Sequence, residues 1–201
     1  MGIGGIARVL ALLAPAGVLT GARVIDAADL DSLHDSERAL VANAVAKRQH
    51  EFATGRVLLR ELLRVPNEIL IGPTRAPMLP PGVVGSLAHD RAVAVAAVSR
   101  DPGITAIGID VEPVEPLPAD MSRIILRDDE IGIDAHLAFT LKEAAYKAWS
   151  NAGGRMLDHH DVRLTVDGDR FTATVLPDGR CLDGRWATID GHHLALVVAD
   201  A

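Results

Sequence analysis

"AVAVAAVSRDPGITAIGIDVE", Ala92 to Glu112, reads as strand, turn, strand at the middle of the chain. Ala92 to Ser99 is small and apolar throughout, as a strand buried on both faces requires. Asp101 to Gly103, "DPG", is a turn signal, and "ITAIGIDVE" starts a second strand behind it. Upstream, "DSERALVANAVAKRQHEFATGRVLLRELLR" from Asp35 has apolar residues at helical spacing, with acids at its start and bases at its end to suit the helix dipole. It predicts one interrupted helix or two. Gly55 sits inside the pattern, so either the helix breaks there or something approaches its backbone closely. "IGPTRAPMLPPGVVGSLAHD" then carries too much proline and glycine for a long helix. Downstream, the alanine-rich helical stretch "FTLKEAAYKAW", Phe139 to Trp149, precedes a closing meander of antiparallel strands joined at "DGD", "PDG" and "DG". Each half pairs a helix with strands, so the class is α+β, with an N-terminal subdomain over 1–103 and a C-terminal one over 104–201.

The 201 residues are 49% apolar but only 3% aromatic, enough for an aliphatic core. A formal charge of -7 argues against a general electrostatic grip on nucleic acid or anionic lipid. Charge is distributed unevenly: Lys47 to Arg75 holds six basic residues against three acidic, and Asp101 to Glu143 ten acidic against three basic. A molecule carrying phosphates and needing a divalent metal could use both regions. Cys181 is the single cysteine, a packed hydrophobe or a surface thiol, which rules out an internal disulfide and fits the cytoplasm. The apolar N-terminus is interrupted at Pro15 and Gly17 and has only Arg8 as a leading base, so neither an export leader nor a membrane span is expected.

Asp110 and Glu112 are two apart on a strand, which sends both carboxylates to one face. That costs energy unless a cation, a proton or solvent screens them, and hard oxygen ligands of this kind suit Mg²⁺. By itself Asp-x-Glu also describes a solvated strand end. Glu143 and Lys147 likewise form an ordinary i to i+4 pair contributing about 0.2–0.5 kcal/mol, with Lys142 a third solvated charge. Arg48 and Arg56, eight apart, share one face of a continuous helix, and Arg75 follows in the loop. His89 could be structural or functional. His159, His160, His192 and His193 read as surface-loop residues. No G-x-x-x-x-G-K-[ST] phosphate loop occurs, which argues against a nucleotide hydrolase or another phosphotransferase.

Together the blocks resemble the 4'-phosphopantetheinyl transferases of the larger monomeric group. Gly108, Ile109, Asp110 and Glu112 match one signature. Phe139, Thr140, Lys142, Glu143, Ala144 and Lys147 match the other. "LLAPAGV", "EFATGR" and "RAPMLPPGVVGSLAH" look like the enterobactin-type branch. The resemblance implies two similar α/β subdomains related by pseudo-twofold symmetry, with coenzyme A as substrate in the cleft between them. It also implies transfer of phosphopantetheine to a serine of an apo acyl or peptidyl carrier protein, releasing adenosine 3',5'-bisphosphate, for siderophore, non-ribosomal peptide or polyketide synthesis. Asp110, Glu112 and Glu143 would hold Mg²⁺, or Mn²⁺ in its place. Glu143 would take the serine proton, and Lys147 would reach a phosphate oxygen. Arg48, Arg56, Arg75 and His89 would bind coenzyme A. Ala88 and Asp90 depart from the family's pattern around that histidine: one hydroxyl contact is lost, Ser86 could replace it, and Asp90 must point away or be screened. A catalytically silent module that binds carrier protein or coenzyme A is the alternative.

Overall fold

The computed structural model describes residues 2–72 and 75–200; Pro73 and Thr74 of the proline-crowded segment lie outside them. The chain runs α1 (Ile3–Leu13), β1 (Val18–Val24), α2 (Asp35–Val41), α3 (Ala46–Leu63), β2 (Val84–His89), β3 (Val93–Ser99) and β4 (Ile104–Pro113). It continues through α4 (Ala119–Ile125), α5 (Ala135–Asn151), β5 (Val162–Asp167), β6 (Arg170–Val175), β7 (Arg180–Ile189) and β8 (His192–Asp200). The class is α+β. One antiparallel sheet has the order β1-β3-β2 and the other the order β4-β8-β7-β6-β5.

Both faces of β3 are buried, and its alternation explains the unbroken run of small residues. Ala94, Ala96 and Val98 meet Leu58, Leu59 and Leu63 of α3, while Val93, Val95 and Ala97 enter a core with Ile6 and Leu10 of α1. Ile107, Ile109 and Val111 of β4 and Leu194 and Leu196 of β8 fill that same core, so both sheets share it. The opposite face of β8 gives Ala195 and Val197 to a third cluster, with Leu141, Ala144 and Ala148 of α5.

The helical stretch after Asp35 breaks at residues 42–45, and α3 runs through Gly55 without interruption. Of the two readings of that glycine, close approach is the one found: a Cβ there would lie 2.7 Å from Leu87 Cδ2. The closing meander has its turns at Asp167 to Asp169, Pro177 to Gly179 and Asp190 to Gly191. Asp190 and Gly191 both take positive φ, as a two-residue hairpin turn needs.

Close contacts fix β4 against α5 and the two sheets against each other. A Cβ on Gly108 would lie 1.9 Å from Ala144 O and 2.6 Å from Ala148 N, so β4 rests directly on the backbone of α5. Where the sheets meet, Asn151 Nδ2 donates to Gly85 O at 3.2 Å and to Ile107 O at 2.9 Å. Ser86 Oγ accepts from Ile109 N at 3.2 Å beside it.

Candidate active site

The period of β4 turns Ile109 and Val111 into the shared core and leaves Asp110 and Glu112 on the other face, beside α5. Lys147 Nζ reaches across from α5 to Asp110 Oδ1 at 2.6 Å and to Ile109 O at 3.2 Å. Asp110 Oδ2 is buried with no hydrogen-bond partner. Burial pushes the Asp110 carboxyl up to about 6; Lys147 offsets part of this and Glu143 adds to it. Burial likewise pushes Glu112 up to about 7, reinforced by Asp110 and opposed by His136. Glu143 is also raised, by burial, with Lys147 opposing.

The expected i to i+4 ion pair between Glu143 and Lys147 is absent among the described residues, because the lysine turns to Asp110 instead. Lys142 is not the solvated charge that its position suggested. It is 1% exposed, and its Nζ donates to Glu130 Oε2 at 2.7 Å, Ile125 O at 2.8 Å and His159 O at 2.9 Å, on the side of α5 away from the carboxylates.

As they stand, no three His, Cys, Asp or Glu side chains among the described residues are grouped to hold a metal. The donor set nonetheless fits a hard divalent cation. Asp110 and Glu112 are adjacent carboxylates raised by burial, Asp110 Oδ2 lacks a partner, and Glu143 is near enough to raise Asp110.

A cleft of about 250 Å³ has Arg48, Arg56, Arg75, Ser86 and His89 on one wall and Glu143 and Lys147 on the other; Asp110 joins it through Lys147 rather than lining it. Arg56 is 3% exposed; its Nε donates to Ile69 O at 2.6 Å and its guanidinium lies 4.2 Å from the centre of the Phe52 ring. No carboxylate pairs with it among the described residues, and burial lowers its pKa to about 10. Arg48 Nη1 donates to His89 Nε2 at 2.8 Å, so that nitrogen carries no proton, and burial holds the imidazole below its ordinary pKa. Arg75, exposed at φ 66°, lines the mouth. Ser86 Oγ accepts from Ile109 N, which leaves its own proton free to donate. Asp90 does point away: Oδ1 accepts from Ala92 N at 2.6 Å and Val93 N at 2.8 Å, and Oδ2 lies 3.0 Å from His192 Nε2.

Several cleft residues lie outside the candidate set. Glu51 lies 3.7 Å from both Arg48 and His89, and Tyr146 and Asn151 complete the wall. His136, 4% exposed, stands 3.5 Å from Glu112 Oε2 and donates through Nδ1 to Glu115 O at 2.7 Å. Its place seven residues before Glu143, two helical turns along the same face, was the available signal. The late histidines need correction: His192 and His193 belong to β8, and His193 is buried, 2.9 Å from Thr188 Oγ1. Cys181 is exposed and free.

With this geometry in hand, comparison with known proteins is specific. The 4'-phosphopantetheinyl transferase N-terminal domain profile matches residues 36–99, and the 4'-phosphopantetheinyl transferase superfamily profile matches residues 106–197. The chain is 38% identical to 4'-phosphopantetheinyl transferase Svp of Streptomyces mobaraensis, over 90% of this chain and 85% of that protein. It is 34% identical to 4'-phosphopantetheinyl transferase PptT of Mycobacterium tuberculosis, over 81% and 84%. Enterobactin synthase component D of Salmonella typhi matches at 30% over 59% of this chain and 53% of its own length.

Proposed function

The chain belongs to the 4'-phosphopantetheinyl transferases, enzymes that move the phosphopantetheine arm of coenzyme A onto a carrier-protein serine, and from that premise we propose how its own residues divide the work. One observation carries the reading: a single cleft has on one wall a buried arginine with no carboxylate partner among the described residues, and on the other Glu143 and Lys147, the lysine bonded in turn to Asp110. Arg56 offers the outer edge of its guanidinium to a phosphate of coenzyme A, with Arg48, Arg75 and His89 supporting it and Ser86 donating its hydroxyl. Phosphate binding at His89 requires Arg48 to release Nε2 first. Asp110, Glu112 and Glu143 would hold Mg²⁺, which when bound neutralises pyrophosphate charge. Glu143 takes the proton of the incoming serine, directly or through water. Lys147, released from Asp110, places its ammonium on a phosphate oxygen as the leaving group departs.

Both walls come from one chain, which supports a monomeric enzyme. No helix among the described residues is long and apolar enough to cross a membrane, and a cytoplasmic location fits the single free cysteine. The name of the Salmonella relative supports siderophore synthesis as the pathway, and the carriers would be acyl or peptidyl carrier proteins. Along "RIILRDDE", Arg123 to Glu130, Arg127 is engaged by Asp129 and Leu126 caps α4, while Arg123 and Ile124 are exposed and would be the contacts for a carrier helix.

The test is incubation with coenzyme A, Mg²⁺ and a panel of apo carrier proteins, followed by mass spectrometry. Gain of the phosphopantetheine mass on a carrier serine is expected. Coenzyme A binding with no gain on any carrier would instead make the protein a silent module.

A further inference from the structure

Glu37 is fully buried on α2, far from any signature motif, and three donors converge on it in four hydrogen bonds. Arg60 Nη1 lies 2.7 Å from both carboxylate oxygens, Ile69 N donates to Oε1 at 2.8 Å, and His34 N donates to Oε2 at 3.0 Å. Arg60 is itself held by Ser32 O at 2.7 Å. Burial alone would raise this carboxyl; the two backbone N–H groups and Arg60 outweigh it and hold it below the usual carboxylate range. The backbone of Ile69 is the link to the cleft, through the two peptide groups that flank its Cα. Its N–H is taken by Glu37, while its carbonyl accepts from Arg56 Nε at 2.6 Å. Two residues further, Ile71 bridges to Pro77, and Ile71, Arg75, Ala76 and Pro77 form part of the cleft wall.

We propose that Glu37 is a positioning residue for coenzyme A: with Arg60 it fixes the backbone at Ile69, and the carbonyl of that residue fixes the guanidinium of Arg56 against Phe52 with its outer edge turned to the cleft. The arrangement also keeps a buried negative charge near Arg56, which has no carboxylate in direct contact among the described residues. A guanidinium held on one face by a ring and at Nε by a carbonyl loses little further freedom when a phosphate arrives. Glu37 touches neither substrate nor metal ligand. Its effect should therefore fall on coenzyme A affinity and leave the chemical step alone.

The inference rests on the assignment of Arg56 to coenzyme A, and a double-mutant cycle separates the two. Coenzyme A affinity is measured by calorimetry, and transfer kinetics with an apo carrier, for Glu37→Gln, Arg56→Ala and the double variant. Glu37→Gln should weaken coenzyme A binding roughly tenfold, with kcat at saturating coenzyme A and the KM for carrier within about twofold of wild type, the size expected for one charge-assisted hydrogen-bond network. On the Arg56→Ala background it should add nothing. If Arg56→Ala leaves affinity unchanged, the assignment of Arg56 fails; if Arg56→Ala weakens binding and Glu37→Gln acts equally on both backgrounds, or lowers kcat as well, the positioning role fails. Should Glu37→Gln not fold, the paired Glu37→Met and Arg60→Met replacement removes the buried ion pair as a unit, a change that proteins often tolerate. It must show the same loss of coenzyme A affinity and the same dependence on Arg56. Wild-type affinity in that folded variant would overturn the proposal.

Discussion

Lys147 Nζ stands 2.6 Å from Asp110 Oδ1, across the gap from α5 to β4, and not against Glu143, the helical neighbour four residues before it. The lysine thus neutralises a buried carboxylate until something in the cleft competes for one of the two. Replacing Lys147 with Met removes the cation that faces phosphate and strands Asp110, so transfer should fall by about 10² to 10³, the usual cost of one transition-state donor. Steady-state assays with a purified apo carrier check this. Lys147→Arg keeps the charge but not the compact ammonium, and only partial recovery is expected.

Glu143 accepts no hydrogen bond among the described residues and is only half-buried, so little of the fold depends on it. Glu143→Gln should leave thermal unfolding within about 2 °C of wild type, as a substitution that breaks no buried network does. Transfer should be abolished. Near-normal rates would remove Glu143 from the chemistry, and a large drop in Tm would show that its role is structural.

The carboxylates and Lys147 were legible because both periodicities are short-range: two residues on β4 put Asp110 beside Glu112, and four on α5 put Glu143 a turn before Lys147. β3 was legible for the same reason, as a run that no solvated strand could carry. What local pattern could not give is which partner each charge meets. Lys142 looks like any surface lysine until the loop after α4 folds back and brings Glu130 under it. Glu37, Arg60 and Ile69 are brought together only by the packing of α2, α3 and the segment after α3. His193 looked like part of a turn because the hairpin turn is only two residues long and the strand resumes at once.

The raised carboxylates set a pH dependence with a definite sign. Asp110 moves from 3.8 to about 6 and Glu112 from 4.5 to about 7 on folding, both mainly through burial. Below about pH 3 each is largely protonated in the folded and unfolded chain alike and costs little. As pH rises the unfolded chain ionises first, so stability falls until pH passes about 7, by a few kcal/mol in all. With divalent cations chelated, Tm should therefore decline across this window, and Asp110→Asn with Glu112→Gln should flatten the decline. The Tm gained on adding Mg²⁺ should grow over the same interval, because ligation needs ionised carboxylates. A gain independent of pH would count against ligation by this pair.

Lys142 and Glu130 are a buried pair, 1% and 4% exposed, and Glu130 also accepts from Leu164 N at 2.8 Å and Arg127 N at 3.0 Å. Lys142→Ala leaves that carboxylate buried without its counter-charge and should cost about 3–5 kcal/mol in chemical denaturation. Lys142→Met combined with Glu130→Gln removes both charges and should cost less than Lys142→Ala alone. If the double variant is the less stable, the pair contributes net stability and the uncompensated charge is not the dominant cost.

Gly108 offers the sharpest contrast between a glycine chosen for space and one that merely tolerates it. At Gly55 the nearest obstacle to a Cβ is the end of the Leu87 side chain, which can rotate, and alanine is favoured in a helix by about 1 kcal/mol; Gly55→Ala should stay within about 1 kcal/mol of wild type. At Gly108 the obstacles are Ala144 O at 1.9 Å and Ala148 N at 2.6 Å, backbone atoms of the helix that carries Glu143 and Lys147. They can yield only if α5 moves off β4, which breaks the packing of Ala144, Ala145 and Ala148 and carries Glu143 and Lys147 away from Asp110. Gly108→Ala should therefore lower stability by about 3 kcal/mol or more, as overpacking against rigid atoms does. Whatever folded protein remains should have lost transfer by more than its folded fraction explains, because a displacement of about 1 Å at a catalytic group costs on the order of 10² in rate. Denaturation curves and rates per folded molecule check both halves of this expectation. A Gly108→Ala enzyme with wild-type rates would show that α5 does not need its contact with β4 to place the lysine.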